Sequence, residues 1–251
     1  GSSVLPEITK RQIAQFHKRV CEEVSGTTGN RHLSLLSSIF RYAIENDLIE
    51  KNPCVGVKKA KENKSRDRFL KEDEYIRFIK TLNTMLDNPQ AQAIFLLIAL
   101  GLRKSSLLSL SWNDVSLSDK HIYLRDTKNG DSQYVALNSV SLDLLTEMHK
   151  GRDKSSEWVF PSSSVTGHLL DVRKTFASIC KQADIKGLRL HDLRRSMATH
   201  LLQDGADVMT IKQLLGHKSL KSTLVYARVA TSSLAKSSEL AAVKIQKALN
   251  Q

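Results

Sequence analysis

Four short segments of the chain carry side chains that can do chemistry on a phosphate group. They are Gly101–Trp112, Asp126–Leu137, Leu190–Leu202 and Leu214–Ala227. Between them they supply arginine, lysine, histidine and, near the end of the last, tyrosine. A guanidinium binds two phosphate oxygens at once and stays charged at any working pH. Tyrosine becomes a nucleophile when a base such as histidine takes its proton. The combination suits nucleophilic attack on a phosphodiester.

Each of these residues also has an ordinary structural explanation. His191 and Arg194 lie one helical turn apart, as surface pairs often do. Lys128 stands beside a turn signal, where a solvated lysine is common, and His217 follows a glycine and could cap a helix. Tyr226 lies on an apolar helix, where most tyrosines belong to the core or its rim. No single segment is therefore decisive.

The order and spacing of the segments resemble the tyrosine recombinases, the family of phage and genomic-island integrases. That family has an arginine after Gly-Leu at a helix junction, a lysine on a β-hairpin, His-x-Leu-Arg, Leu-Gly-His, and a tyrosine nine residues later. The matching residues here are Arg103, Lys128, His191 with Arg194, His217 and Tyr226. The resemblance covers residues 66–230 as a catalytic domain, and residues 7–57 resemble the latter half of a helical core-binding domain.

The resemblance implies a site-specific DNA recombinase that acts through a 3′-phosphotyrosine intermediate in integration and excision of a mobile element. Tyr226 would be the nucleophile, with His191 accepting its proton and Lys128 delivering a proton to the departing 5′ oxygen. Arg103 and Arg194 would clamp the nonbridging oxygens of the phosphate.

His217 would hydrogen-bond the phosphate or the tyrosine oxygen. Because the phosphotyrosine bond conserves the energy of the phosphodiester, no metal ion and no cofactor is expected. The sequence also lacks a Walker motif, an HExxH motif and the clustered carboxylates of a two-metal nuclease. His191, His200 and His217 match no standard metal-site spacing.

Ser106 departs from the family pattern, which usually has an acidic residue three positions after the first arginine. A serine has no negative charge with which to hold Arg103. Ser106 therefore favours one alternative to the recombinase, a catalytically silent DNA-binding protein of the same fold. A second alternative is a type IB topoisomerase, which shares the chemistry but relaxes DNA alone.

The composition favours an anionic partner. In 251 residues, 38 Lys and Arg against 26 Asp and Glu give a formal net charge of +12. Such a field attracts nucleic acid, here double-stranded DNA, although a basic protein without a specific ligand has the same charge. The longest apolar run, Ala93–Leu100, is too short for a membrane span. Three scattered cysteines indicate free thiols in a reducing cytoplasm, and the expected location is the bacterial nucleoid.

Helical patterns dominate the chain on both sides of a basic stretch. A capping box at Thr9 begins a first helix, and a second helix begins near Thr28 and ends before Asn52-Pro53. The basic stretch that follows is either a solvated tether or a strap along a DNA backbone. Further helices are predicted at 72–85, 89–100 (with Gly101 as its stop), 105–110, from Ser139, and at 169–182, 193–203, 208–215 and 220–226.

Three short strands are predicted at 114–117, 121–125 and 133–137, with Asn129-Gly130 as a hairpin turn. The fold class is thus mainly α with a small antiparallel β-sheet. The predicted organisation is a partial core-binding domain at 4–57, a basic linker at 58–68, a catalytic domain at 69–233 and a helical tail at 234–251.

The tail has an apolar stripe of Leu234, Ala241, Ile245, Ala248 and Leu249. It either folds back on its own domain or, as the resemblance implies, docks on a neighbouring protomer. The expected assembly is then a homotetramer on paired DNA sites, monomeric in free solution, with accessory DNA-bending proteins as further candidate partners.

Overall fold

A computed structural model describes residues 4–62, 67–125 and 132–227, together with 242, 243, 245 and 246. The chain divides into two compact units, one up to Arg66 and one from Asp67 onward. The division falls inside the predicted linker. Each unit has its own apolar core and is described by itself below.

The first unit consists of α1 (Lys10–Glu23) and α2 (Gly26–Glu45). The capping box of α1 is confirmed: the Thr9 N–H donates to Gln12 Oε1 at 2.7 Å, and the Gln12 N–H donates to Thr9 Oγ1 at 3.3 Å. Helix α2 begins two residues before the predicted start, because the Ser25 hydroxyl accepts the Thr28 N–H and so caps the helix earlier. Its apolar face packs on α1 and on the chain that follows; the buried residues are Ile13, Leu33, Phe40 and Cys54.

The second unit is mainly helical, as predicted. Its helices are α3 (Glu72–Asn83), α4 (Pro89–Leu100), α5 (Lys104–Leu108), α6 (Ser139–Lys150), α7 (Arg173–Gln182), α8 (Leu190–Gln203), α9 (Val208–Leu215) and α10 (Leu220–Ala227). Helix α4 is apolar on every side and lies at the centre, packed against α5, α6, α7 and α8. In the described part of the chain, no helix has both the length and the apolar character needed to cross a membrane.

The sheet has three antiparallel strands in the order β1 (Val115–Ser116), β2 (His121–Leu124) and β3 (Gln133–Ala136). Leu124 pairs with Gln133 at one end of the β2–β3 ladder and His121 pairs with Ala136 at the other, so the predicted hairpin is confirmed. The turn with Asn129-Gly130 lies outside the described residues, and so does Lys128.

Helix α7 begins four residues later than predicted. The Leu169 N–H donates to the Phe160 carbonyl at 2.8 Å, and His168 pairs with Pro161 in an isolated bridge. These residues therefore close a loop and cannot join the helix. The Asp171 carboxylate accepts the N–H groups of Val172 and Arg173, and the helix begins there.

Helix α8 begins three residues earlier than predicted, at Leu190. The Asp192 carboxylate accepts the Arg189 N–H at 2.8 Å and so caps the first turn. His191 therefore lies in that first turn, and Arg194 begins the next turn of the same helix.

Candidate active site

Arg103 is positioned by a helix end. Gly101 ends α4 in the left-handed conformation, with φ 62°, and its N–H donates to the Leu97 carbonyl at 3.1 Å. A Cβ at Gly101 would stand 2.8 Å from Met197 Sδ, so both the backbone angle and the close approach of α8 favour glycine. The chain turns sharply and places Arg103, half-buried, at the start of α5.

Arg194 joins the ends of two helices. Its side chain is 4% exposed, and its guanidinium donates to the Gly101 carbonyl at 2.5 Å and to the Leu215 carbonyl at 2.6 Å. These carbonyls are at the C-terminal ends of α4 and α9, where the helix dipoles favour a cation. A guanidinium has more N–H donors than these bonds use, so Arg194 can hold the site together and still bind a ligand.

The charge of Arg194 is strongly influenced by its surroundings. Burial is the main reason that the pKa of Arg194 is lowered to about 10; the Tyr226 oxygen opposes this shift, and the nearby Arg103 contributes to it. At neutral pH both arginines are cationic. Their mutual repulsion indicates that the site favours an anion between them.

The two predicted histidines are held in the neutral form. Burial, then Arg194 and Arg103, then His191, lower the pKa of His217 to about 4. Burial and Arg194, followed by smaller effects of Arg195 and Arg103, lower the pKa of His191 below its ordinary value despite the neighbouring Asp192. Both imidazoles are therefore unprotonated at neutral pH, and each has one ring nitrogen without a proton.

His217 is fixed by a residue that sequence reasoning missed. Its Nδ1 lies 2.9 Å from the hydroxyl oxygen of Thr223, which is fully buried on α10. The His217 ring also stacks on the Tyr226 ring, with centroids 5.9 Å apart and an interplanar angle of 30°. Helix α10 thus holds the histidine and the candidate nucleophile together. Thr223 is one turn before Tyr226 in the sequence, but nothing local shows that it faces His217.

Tyr226 is both a core tyrosine and a member of the polar site. Its side chain is 6% exposed and packs in a small apolar cluster with Ala198, Leu202, Ile211 and Leu215. Its hydroxyl oxygen interacts with Arg194 and opposes the lowering of the pKa of that guanidinium. The apolar neighbours fix the ring beside the polar groups of the site.

A cavity of about 300 Å³ lies beside these groups. Among the described residues its lining is basic or hydroxylic and includes no carboxylate; these residues are Arg103, His191, Arg194, His217, Lys218, Ser219 and Ser222. Four of the six residues predicted from the sequence therefore line one cavity, and Tyr226 contacts two of those four, Arg194 and His217. Cations and hydroxyl donors around a small cavity suit a phosphate.

Gln133 is a second residue that the sequence did not reveal. It begins β3, and its Nε2 donates to the carbonyls of Gln213 and Leu214 at the end of α9, at 3.2 and 3.4 Å. The hairpin strand is thus bound directly to the turn that precedes His217. The signal in the sequence was only that a polar residue follows the predicted turn.

The remaining expectations for the site concern Lys128 and Ser106. Lys128 lies outside the described residues, and its predicted place at the site is untested. Ser106 is half-buried, and no hydrogen bond joins it to Arg103 in the described structure. Within the described ranges, no group of three or more metal-binding side chains comes together.

Comparison with known proteins decides the family. The phage integrase family model matches residues 68–233, which is most of the second unit. The chain belongs to the phage integrase family. It is a tyrosine-type site-specific DNA recombinase, as the resemblance implied.

Two curated relatives illustrate the match. The integrase is 31% identical over 223 residues to the tyrosine recombinase XerC of Bacillus pumilus (strain SAFR-032), covering 83% of this chain and 72% of the relative. It is 25% identical over 252 residues to the ICEBs1 integrase of Bacillus subtilis (strain 168), covering 88% of this chain and 67% of that one.

A solved structure shares the fold. The Tn1549 transposon integrase in complex with circular intermediate DNA superposes with a TM-score of 0.69 at 20% identity, covering 90% of this integrase and 83% of the other chain. The mainly helical fold with a small sheet is therefore that of tyrosine recombinases.

Proposed function

We propose that this integrase cuts and rejoins double-stranded DNA through a covalent bond between Tyr226 and a 3′ phosphate. The observation that carries the proposal is the cavity lined by Arg103, Arg194, His191 and His217, with the Tyr226 ring stacked on the His217 ring. The positive charge of the cavity suits a phosphodiester, and the nucleophile Tyr226 lies beside the cavity.

In the first step the Tyr226 oxygen attacks the phosphorus, and the bond between phosphorus and the 5′ oxygen breaks. His191, neutral because its pKa is lowered, takes the phenol proton. Lys128 gives a proton to the leaving 5′ oxygen. The products are a 3′-phosphotyrosine and a free 5′ hydroxyl, so one ester bond replaces another.

The two arginines act on the transition state. Negative charge gathers on the nonbridging oxygens as the fifth bond to phosphorus forms, and Arg103 and Arg194 can donate to both oxygens. Each donor of this kind contributes about 10²–10³ in rate. His217, fixed by Thr223, has its second ring nitrogen available for the phosphate or the tyrosine oxygen.

Rejoining reverses these transfers. A 5′ hydroxyl, from the same strand or from a partner duplex, attacks the phosphotyrosine while Lys128 takes its proton and His191 returns one to Tyr226. The number of ester bonds is unchanged throughout. Neither ATP nor a metal ion is then needed, and cleavage should persist in excess EDTA; strict dependence on Mg²⁺ would contradict the mechanism.

Exchange between two DNA sites needs four active sites, so we propose a homotetramer on paired sites, assembled in the nucleoid from free monomers. Its role is the integration and excision of a mobile element, with DNA-bending proteins as candidate partners. The basic composition of the chain and the names of its relatives support this role.

The direct test is Tyr226→Phe on a nicked duplex that traps covalent adducts. We expect the variant to bind the duplex like the wild type and to form no adduct, because only the nucleophilic oxygen is removed. Tyr134→Phe, on the exposed side of β3, is the matched control and should form adduct normally.

Two other outcomes of the same assay would redirect the proposal. Binding without adduct in the wild-type protein would indicate a silent DNA-binding protein. Relaxation of supercoiled plasmid without sequence preference would indicate a topoisomerase.

A further inference from the structure

Asn30, in the middle of the first unit, binds the backbone of the linker. The Ala60 N–H donates to Asn30 Oδ1 at 2.9 Å, and Asn30 Nδ2 donates to the Ala60 carbonyl at 2.9 Å. One side-chain amide thus satisfies both backbone groups of Ala60, as a neighbouring strand would. Asn30 is 4% exposed, so these bonds are shielded from water.

The rest of the Asn30 amide is also used. Its Nδ2 donates to Glu62 Oε1 at 2.8 Å, and its Oδ1 lies 3.0 Å from Nε2 of the buried His17 on α1. Because that oxygen can only accept, His17 is the donor. Residues from α1, α2 and the linker therefore meet at one fully bonded asparagine, and such buried networks favour a single geometry.

Gly26 allows the linker to approach α2 closely. A Cβ at this position would stand 3.0 Å from the Lys61 carbonyl oxygen and 3.2 Å from the Ala60 Cβ. Residues 58–62, called here the linker segment, thus lie against the first turn of α2. This stretch is held on the first unit, although its composition is typical of a free tether.

The side chains of Lys58, Lys59 and Lys61 are exposed along the linker segment. None of them forms an ion pair with a described residue. Fixing the backbone at Ala60 therefore fixes the path from which three lysines extend into solvent.

We propose that Asn30 is a positioning residue for DNA binding: it holds the linker segment so that Lys58, Lys59 and Lys61 meet successive phosphates of the duplex. The inference rests on the proposed function, since it needs DNA as the partner. A backbone ordered before binding loses less conformational entropy when the lysines engage, so the contacts contribute more affinity.

The test measures the dissociation constant of the full chain for its duplex at several salt concentrations. Asn30→Ala keeps every charge, yet we expect roughly tenfold weaker binding at low salt and a shallower salt dependence, because fewer counterions are released. Asn46→Ala, at the end of the same helix, removes a side chain that donates to the Tyr42 carbonyl, and it should behave like the wild type.

The salt slope separates positioning from simple loss of fold, because a smaller folded fraction lowers apparent affinity without changing the slope. Gly26→Val provides a second variant that displaces the linker segment but leaves Asn30 and His17 in place. It should reproduce the shallower slope, and circular dichroism should show both variants folded. If Asn30→Ala is unfolded, the salt slope of Gly26→Val tests the proposal instead.

A coupling measurement completes the test. When Lys58, Lys59 and Lys61 are all replaced by Ala, adding Asn30→Ala should weaken binding no further, because its effect passes through those lysines. Additive losses, or an unchanged slope in Gly26→Val, would overturn the inference. A wild-type protein that binds no duplex would instead refute the proposed function.

Discussion

The side chain of Gln133 fills the space that a Cβ on Gly216 would need. An added Cβ at Gly216 would stand 1.9 Å from Gln133 Oε1. Gly216 also has φ 59°, the left-handed conformation that ends α9 and turns the chain toward His217. The β2–β3 hairpin and the His217 turn therefore depend on each other through one glycine.

Gly216→Ala should reduce single-turnover DNA cleavage by about 10²-fold, because it displaces Gln133 and shifts the His217 turn. Gly205→Ala is the matched control: Gly205 also has a positive φ, 101°, but nothing lies within 4 Å of its added Cβ. Equal losses in the two variants would mean that backbone strain alone matters. Gln133→Ala should partly restore Gly216→Ala, since it removes the clash.

His217 and His191 should titrate below the ordinary histidine value of 6.5 in the DNA-free protein. Because the pKa of His217 is lowered to about 4 in the folded state, the unfolded state binds a proton more readily, and stability should fall as the pH drops from 6.5 toward 4; the lowered pKa of His191 acts in the same direction. Proton–nitrogen NMR of labelled histidines measures this directly.

Arg103→Leu should raise the pKa of both histidines, because it removes a nearby positive charge. Arg152→Leu, whose guanidinium lies over Trp112, should leave them unchanged. A pKa of His217 at or above 6.5 in the wild type would contradict the described site.

Lys128→Ala should cleave ordinary DNA slowly but recover on a duplex with sulfur in place of the 5′ bridging oxygen. A thiolate leaves without a proton, so a general acid becomes unnecessary. Lys154→Ala, an exposed lysine in the loop after α6, should cleave both substrates at the wild-type rate. If Lys128→Ala also cleaves the sulfur-substituted duplex slowly, Lys128 makes only an electrostatic contact and is not the general acid.

Deletion of residues 234–251 should leave binding to a single site nearly intact while recombination between paired sites collapses. Most of this tail lies outside the described residues, and the expectation rests on its apolar stripe. Sedimentation of the full chain and the truncated chain, with and without paired duplexes, measures assembly. Full recombination by the truncated chain would show that the tail does not join protomers.

The sequence determined what depends on neighbouring residues. The capping box at Thr9, the stop at Gly101 and the pairing of β2 with β3 follow from bonds and dihedral angles within a few residues. The sequence alone also identified five site residues by their order: Arg103, His191, Arg194, His217 and Tyr226. The structure brings four of them, all but Tyr226, to the lining of one cavity. The predicted start of α7 was wrong, because a bond between Leu169 and Phe160 competes with the helix.

Only the tertiary structure decided which groups meet across long stretches of chain. Arg194 bonds the carbonyls of Gly101 and Leu215, and Asn30 bonds Ala60, between elements that periodicity cannot pair. Hydrophobic spacing shows which face of a helix is buried but not which element covers it. The neutral state of His217 could not be predicted from the sequence for the same reason. Burial and nearby arginines lower its pKa only once the helices have assembled.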